Sequence, residues 1–264
     1  MSAPTAFEPA LLGRTGLRVA RLGMGSSYGV PAPAVERAFD LGVNYLYWGS
    51  FRTRHFQTAL RNLSPRRDRM VLVLQSFTRA ASLMAWSVER GLRRIGYDHA
   101  DVLLLGLWNR TPPPRIMDAA HRLKQRGLAR FLAISTHRRP MAATWARESA
   151  FDIVHVRYNA VHTGAERDVF PNLPANGPGI VSYTATCWGR LLSRRRVPRG
   201  ERIPTAADCY RFVMSHPAVH VCMCGPSTEA HAREATEALR LGPMADEEIS
   251  WMRRVGAAVG RRPR

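Results

Sequence analysis

Residues 100–109 read ADVLLLGLWN, and residues 127–136 read GLARFLAIST. Both are apolar runs of strand length, and the segment between them carries apolar residues at helical spacing. The same alternation of strand-like and helix-like segments continues along the chain, and it favours a parallel sheet with helical crossovers. Strands are predicted at residues 19–23, 44–48, 70–76, 102–107, 131–135, 153–158, 180–184 and 219–224.

Helices are predicted between these strands at residues 32–41, 80–95, 116–126, 141–148, 206–215 and 229–239, with a further amphipathic helix at 246–259. A chain of 264 residues suits a (β/α)8 TIM barrel, which typically needs about 250 residues. We therefore predict the α/β fold class and a single domain over residues 1–264. The active site of such a barrel forms at the C-terminal ends of its strands.

The chain is strongly basic, with a formal net charge of +19. Almost every cation is arginine, since Lys124 is the only lysine, and a coding bias explains this as well as a polyanionic partner does. The densest clusters are not interleaved with the aromatic residues of a single-strand-binding surface. They comprise Arg194, Arg195, Arg196, Arg199 and Arg202, and, at the end of the chain, Arg261, Arg262 and Arg264. We expect no specific nucleic-acid partner.

Neither a basic-then-apolar leader nor an apolar run approaching the roughly 18 residues of a membrane span is recognised in the sequence. We therefore expect a cytoplasmic protein without a membrane partner.

Metal binding is not predicted. The four cysteines lie in segments with strand or helix patterns and are expected to be buried, reduced thiols; they are Cys187, Cys209, Cys222 and Cys224. They lack the second ligand pair of a zinc site. The histidines His137, His155 and His162 have no carboxylate at a diagnostic offset.

Five stretches resemble, in order and spacing, the successive barrel strands of the aldo-keto reductases, and together they span nearly the whole chain. They are LLGRTGLRVARLGMG (11–25), LGVNYLYWGS (41–50), ADVLLLGLWN (100–109), GLARFLAIST (127–136) and GIVSYTATCWGRLL (179–192). The resemblance implies the TIM barrel and an NAD(P)H-linked oxidoreductase.

The catalytic residue types of that family are all replaced. Its reductases place an aspartate and a tyrosine after the second strand, a lysine at the end of the third and a histidine at the end of the fourth. These positions align here with Tyr47, Arg52, Gln75 and Gly106. The family's tyrosine donates a proton to the carbonyl oxygen, and a phenol with an ordinary pKa near 10 is a poor acid at pH 7 without such help. The resemblance thus implies a replaced active-site set.

Tyr47 keeps a hydroxyl and is a candidate proton donor, and Trp48 is a candidate substrate contact. Alternatively, both are packing residues of a reshaped pocket. Gln75 is a candidate substrate contact. Gly106 leaves volume where an imidazole would project, and Trp108 is predicted on the same strand face, where it would fill that volume and contact substrate. The alternative is that Gly106 and Trp108 reflect sequence drift in a barrel that has lost its catalytic activity.

The sixth predicted strand carries His155, Arg157 and, just beyond it, Asn159 on one face by strand alternation. A guanidinium in a barrel mouth is costly unless it meets an anion. Either Glu166 or Asp168 in the following loop pairs with Arg157, or Arg157 binds an anionic small-molecule substrate, with Asn159 beside it.

The nucleotide-binding half of the family pattern is better preserved. Tyr183 matches the tyrosine that stacks on the nicotinamide ring, and residues 188–192 resemble the loop over the pyrophosphate. The segment after the eighth strand enters a helix whose N-terminal amides suit a phosphate, although Ser227 or Thr228 is alternatively an ordinary helix cap. NADP or NAD is the implied cofactor. The implied cofactor-binding residues are Tyr183, Trp188, Arg190, Gly225, Ser227 and Thr228.

The sequence leaves three functions open. The first is the NAD(P)H-linked oxidoreductase acting on a small anionic or polar substrate. The second is a non-catalytic ligand-binding or regulatory pseudoenzyme on the same scaffold, since a fold alone does not carry function. The third is a cofactor-independent lyase or isomerase that holds an anion with Arg157 and uses His137 or His155 as its base, because imidazole titrates near pH 7.

Overall fold

The computed structural model describes residues 6–49, 53–76, 78–148 and 150–261. A short antiparallel hairpin, β1 (Ala10–Leu11) and β2 (Arg18–Val19), comes first. A closed parallel barrel follows. Its strands are β3 (Leu22–Gly25), β4 (Tyr45–Trp48), β5 (Val71–Gln75), β6 (Ala100–Leu107), β7 (Ala129–Thr136), β8 (Ile153–Arg157), β9 (Gly179–Tyr183) and β10 (Val221–Cys224). Each strand pairs with the next along the chain, and β10 closes the ring against β3.

The helices of the described residues pack around the barrel. They are α1 (Ala32–Asp40), α2 (Arg54–Asn62), α3 (Ala81–Ile95), α4 (Pro114–Gln125), α5 (Arg139–Arg147), α6 (Ala165–Asp168), α7 (Ala206–Met214), α8 (Glu229–Leu241) and α9 (Asp246–Arg261). None of these helices is long and apolar enough to cross a membrane. The predicted TIM barrel is confirmed, and each predicted strand is present to within a few residues.

The sequence patterns did not correctly predict the start of the first barrel strand or the presence of helix α2. The first barrel strand begins at Leu22 rather than Val19, because Val19 pairs with Ala10 in the hairpin. Helix α2 was not predicted, since its buried face is limited to Phe56, Ala59 and Leu60 within an otherwise polar segment. A nine-residue segment of this kind is shorter than the windows of about 11–18 residues in which helical periodicity is recognised.

Strand alternation sorts the barrel residues into two layers. Side chains such as Val73, Val102 and Leu104 point inward and form the inner core, which Leu12 and Leu17 close at the N-terminal end. Alternate residues, such as Leu72 and Leu103, point outward and pack against the helices. The inward positions nearest the C-terminal ends of the strands are therefore the ones that can meet a ligand.

The cysteines of the chain are all buried, and none forms a disulfide. Desolvation raises the pKa of the Cys224 thiol to about 12, and the pKa of Cys222 is likewise raised by burial. Buried thiols with raised pKa values are poor nucleophiles and poor metal ligands. The described residues contain no group of three or more side chains placed to hold a metal ion.

Candidate active site

A cavity of about 810 Å³ opens at the C-terminal ends of the barrel strands. Five aromatic side chains contribute to its wall: Tyr28, Tyr47, Tyr183, Trp188 and Tyr210. Among the described residues, its lining includes no aspartate, glutamate, lysine or arginine. Such a wall suits a flat, uncharged ring held by stacking contacts.

One side of the cavity is built by Tyr47 and Gln75, which end neighbouring strands. The Tyr47 hydroxyl donates a hydrogen bond to Gln75 Oε1. The Tyr47 ring lies against Gly49, where an added Cβ would overlap the ring atoms. Gln75 Nε2 lies against Gly106, 3.1 Å from where a Cβ would stand. The volume left by Gly106 is thus bordered by the glutamine amide.

Trp48 and Trp108 do not line the cavity, so their prediction as substrate contacts is wrong. Trp48 is fully buried in the outer layer, since its neighbour Tyr47 takes the inward position. Trp108 lies outside the barrel as well, with its Nε1 donating to the Leu105 carbonyl at 2.9 Å.

Trp108 faces outward because the strand is irregular at Gly106. The pairing of β6 with β7 shifts register between Leu104 and Leu107, and Gly106 has a φ of 84°. The shift moves Leu107 into the cavity wall and places Trp108 in the outer core, under the Arg79 guanidinium at 4.6 Å. A bulge of this kind reverses the alternation from which the position of Trp108 was predicted.

His155 lies on the cavity floor, only 5% exposed. Its Nε2 and the Tyr45 hydroxyl are hydrogen-bonded at 3.0 Å. Desolvation lowers the pKa of His155 to about 3 and raises the pKa of Tyr45. An imidazole with so low a pKa is a weak base near pH 7, and this argues against the predicted role of His155 as a general base.

Arg157 is on the inner face at the end of β8, paired in register with Tyr183 and half-buried. Within the described residues its guanidinium forms no ion pair. Glu166 is bonded to Arg253 at 2.8 Å and to the Tyr158 hydroxyl at 2.5 Å, and Asp168 is bonded to Arg139 at 2.6 Å. The acidic partners that the sequence offered to Arg157 are therefore engaged elsewhere.

His137 lies at the rim, with its ring centroid 6.0 Å from that of Tyr183. Burial, and then the charge of Arg157, lower the pKa of His137. His137 and Arg157 therefore face the same corner of the mouth, next to the cavity rather than among its lining residues.

Asn159 does not reach the cavity, and its prediction as a substrate contact is wrong. It is fully buried and organises the loop after β8. Its Nδ2 donates to the Thr184 carbonyl at 2.7 Å, and its Oδ1 accepts from the amides of Val161 and His162. Strand alternation no longer applies there, because β8 ends at Arg157.

The other side of the cavity is formed by the segment after β9. Tyr183 presents its ring to the cavity while its hydroxyl donates to the Thr136 carbonyl at 2.7 Å; burial raises its pKa to about 12. Three non-glycine residues of the next loop have positive φ angles, namely Thr184, Cys187 and Trp188. Such strained conformations cluster at ligand-binding segments. Trp188 is 52% exposed and lines the cavity.

The remaining predicted cofactor residues divide into two groups. Gly225 and Ser227 line the cavity. Arg190 points away, since its Nη2 donates to the Val259 carbonyl of α9 at 2.8 Å, and it is not a cavity residue. Thr228 is the N-cap of α8, its hydroxyl accepting the His231 amide at 3.2 Å.

The sequence interpretation missed several lining residues. Tyr28 lies on the Gly- and Ser-rich loop after β3 and stacks beside Gly225, while Tyr210 reaches the cavity from α7. Both come from helices or loops rather than from strand ends, so strand alternation gives no signal for them. Arg52, which aligns with the family's tyrosine, lies outside the described residues.

Comparison with known protein families and curated proteins shows what this chain is similar to. The profile described as the Aldo/keto reductase family matches residues 32–257. Aldo-keto reductase ausK of Aspergillus calidoustus is 32% identical over 120 residues, which cover 43% of this chain and 30% of that protein. L-galactose dehydrogenase of Arabidopsis thaliana is 26% identical over 221 residues, covering 71% of this chain and 68% of that protein. The match to ausK thus spans less than a third of that relative.

Solved structures share the fold. The holo form of aldo-keto reductase AKR11C1 from Bacillus halodurans superposes with a TM-score of 0.77 at 19% identity, covering 94% of this chain and 96% of that one. An aldo/keto reductase from Klebsiella pneumoniae in complex with NADP and acetate gives 0.76 at 19% identity, covering 95% and 96%. At this level of identity the likeness concerns the barrel alone.

Proposed function

Because this chain belongs to the aldo/keto reductase family, we propose that it is an oxidoreductase that binds NADP or NAD across the barrel mouth and acts on a small anionic or polar substrate. The observation that carries the proposal is the cavity that runs from Tyr183 to the start of α8, whose described lining residues are rich in aromatic side chains and include no aspartate, glutamate, lysine or arginine. When bound, the nicotinamide ring supplies or accepts a hydride.

The residues present are compatible with the cofactor. The Tyr183 ring and the exposed Trp188 indole offer apolar faces to a planar ring. The first amides of α8 have no partners within the helix and favour a phosphate. Glu229 in that first turn would oppose an anion, but its carboxylate is paired with Arg37 at 2.7 Å and with Arg233 at 3.0 Å.

The cofactor-binding end offers little to discriminate NADP from NAD. The family's cationic position in this helix is His231, and its Nδ1 is hydrogen-bonded to Ser227 Oγ at 3.0 Å. An imidazole held in this way is a weaker anchor for a 2′-phosphate than an arginine fork. We therefore propose that the two dinucleotides bind with similar affinities.

On the substrate side, Tyr47 and Gln75 supply the hydrogen-bonding groups. The Tyr47 hydroxyl already donates to Gln75 Oε1. This hydrogen bond must therefore break before Tyr47 can donate to a substrate oxygen. Gln75 is neutral, so it offers a resulting phenolate no charge where the family has its lysine. Proton donation is therefore expected to be slow compared with a site that holds a lysine beside its tyrosine.

Arg157 gives the site its substrate preference. It stands unpaired among the described residues at the mouth, next to Tyr183, where a carboxylate or phosphate can accept two parallel hydrogen bonds from its guanidinium. We propose that Arg157 anchors an anionic substrate group while the uncharged part enters the aromatic cavity.

A second function is supported by the Tyr47–Gln75 pair itself. Because this pair is neutral, it offers hydrogen-bonding groups to a ligand but no charge of its own that would tune a proton donor. A ligand-binding or regulatory role on the reductase barrel is therefore the second candidate.

Titration with NADPH and NADH, followed by the fluorescence of the reduced nicotinamide, tests the proposal. We expect saturable binding of both, weakened at least ten-fold by Tyr183→Ala. Tyr97→Phe is a control for the loss of a tyrosine hydroxyl outside the mouth, since the Tyr97 hydroxyl donates to the Leu60 carbonyl.

Absence of saturable binding for both dinucleotides would refute the cofactor part of the proposal. Binding without turnover on any of a panel of carbonyl acids, in either direction, would favour the ligand-binding candidate instead.

A further inference from the structure

A second cavity, of about 710 Å³, lies at the opposite, N-terminal end of the barrel. Four arginines line it, contributed by three separate segments of the chain: Arg18 from β2, Arg67 and Arg69 from the turn before β5, and Arg130 from the start of β7. The acidic residues in the described lining are Asp68 and Asp101. The arginine and aspartate side chains of this cavity therefore leave an excess of positive charge.

Asp101 holds two of the arginines in place. It is 2% exposed, accepts the Leu72 amide at 2.8 Å, and pairs with Arg67 at 2.8 Å and Arg130 at 3.0 Å. Its capacity as an acceptor is thus largely used within the protein.

Arg67 is further fixed by backbone contacts. Its guanidinium donates to the Met70 carbonyl at 3.0 Å and to the His99 carbonyl at 3.3 Å, and it lies 5.3 Å from the Tyr97 ring centroid. Its Nε is buried without a hydrogen-bond partner among the described residues. A guanidinium that is already ordered loses less conformational entropy when an anion binds.

Arg18 and Arg69 complete the cavity without a protein anion. Both are exposed, and neither forms an ion pair with a described residue; Arg69 lies over the Phe39 ring at 5.6 Å. Asp68 is exposed beside Arg69. The two arginines are thus available to a ligand at the edge of the cavity, while Arg67 is fixed deeper in it.

We propose that this N-terminal cavity binds a small phosphorylated anion with two or more negative charges, such as a diphosphate group. Guanidinium forks match phosphoryl oxygens in bidentate geometry. The site lies at the end of the barrel that contributes to stability rather than catalysis, so its ligand stabilises the fold and leaves the mouth free. The proposal is independent of cofactor binding at the mouth.

Inorganic pyrophosphate, titrated calorimetrically into the full chain, is the probe. We expect saturable binding at this cavity, with the dissociation constant raised at least ten-fold in the Arg18→Ala, Arg69→Ala double variant. The matched control is Arg122→Ala, Arg147→Ala, which removes the same charge from exposed positions on α4 and α5. The Arg122→Ala, Arg147→Ala control is expected to bind as the unaltered protein does.

Three results would overturn the site. The first is no saturable binding of pyrophosphate, and the second is an equally raised dissociation constant in the Arg122→Ala, Arg147→Ala control. The third is loss of pyrophosphate binding in Arg157→Ala while the Arg18→Ala, Arg69→Ala variant still binds it. Circular dichroism verifies that each variant is folded. Should the double alanine variant not fold, the Arg18→Lys, Arg69→Lys variant replaces it, since lysine retains the charge but not the planar guanidinium group. We expect its affinity for pyrophosphate to fall several-fold. Unchanged affinity would refute bidentate recognition.

Discussion

The Tyr47 hydroxyl donates a hydrogen bond to Gln75 Oε1 between the ends of neighbouring barrel strands. These positions align with the aspartate and lysine of the aldo-keto reductases, so a neutral pair stands where the family has two charged groups. The two side chains are hydrogen-bonded to each other, but neither supplies the charge that the family uses to tune its proton donor. Five aromatic side chains contribute to the wall of the cavity beside the pair.

The first prediction concerns ordinary carbonyl reduction. We expect the protein to reduce simple aldehydes and ketones, such as nitrobenzaldehydes, at rates about 10²–10⁴ below those usual for the family, because positioned general-acid chemistry contributes about that much. Steady-state NADPH oxidation measures this. Turnover at rates usual for the family would show that another group, outside the assigned set, donates the proton.

The second prediction concerns Arg157. Arg157→Ala should abolish the thermal stabilisation that small carboxylates give the protein, while the melting temperature without ligand stays unchanged, since no described residue pairs with this guanidinium. Truncating one partner of a buried charged pair typically costs 2–5 kcal/mol of binding. Differential scanning fluorimetry with a series of aromatic carboxylates measures the effect. Arg138→Ala, at an exposed position between β7 and α5, is the control, and equal losses in the two variants would contradict the assignment.

The third prediction concerns pH. Burial lowers the pKa of His155 to about 3, whereas an unfolded histidine titrates near 6.5. Between these values the unfolded chain binds the proton and the folded protein does not. Stability is therefore lost as the pH falls through this window, by up to about 1.4 kcal/mol per pH unit from this one group.

Urea unfolding between pH 6.5 and 4.5 tests the third prediction. His155→Gln should flatten the pH dependence, because glutamine does not titrate and its amide can still bond to the Tyr45 hydroxyl. His121→Gln, at an exposed position on α4, should leave the slope as it is. An unchanged slope in His155→Gln would show that His155 is not the group responsible.

The sequence predicted the barrel because buried parallel strands and amphipathic helices leave distinct periodic patterns. It also predicted the inward positions of Tyr47, Gln75 and Tyr183. It could not predict the register shift at Gly106, because a bulge depends on how two strands pair and leaves no periodic signal in either strand. That shift is why Leu107, and not Trp108, lines the cavity.

The fourth prediction separates the two layers of the barrel. Trp48→Ala should destabilise the protein by about 3–5 kcal/mol, since it removes a large, fully buried side chain from the outer core. Ligand affinity at the mouth should not change in the folded protein. Trp86→Ala, at a position 55% exposed on α3, should alter stability by no more than about 0.5 kcal/mol. Loss of NADPH or carboxylate binding in folded Trp48→Ala would show that Trp48 does contribute to ligand binding.

The fifth prediction tests whether Gly106 shapes the active site through Gln75. Gly106 has a φ of 84°, and an added Cβ would lie 3.1 Å from Gln75 Nε2. Gly127 offers a matched comparison, since its φ is 73° and an added Cβ would meet nothing within 4 Å. Alanine at either position adopts a left-handed backbone, which costs roughly 1–2 kcal/mol. Only Gly106→Ala also displaces the Gln75 amide, and with it the acceptor of the Tyr47 hydroxyl.

We therefore expect similar losses of stability by chemical denaturation in the Gly106→Ala and Gly127→Ala variants, and weaker ligand binding in Gly106→Ala alone. Equal ligand affinities in the two variants would mean that the position of Gln75 does not matter for binding.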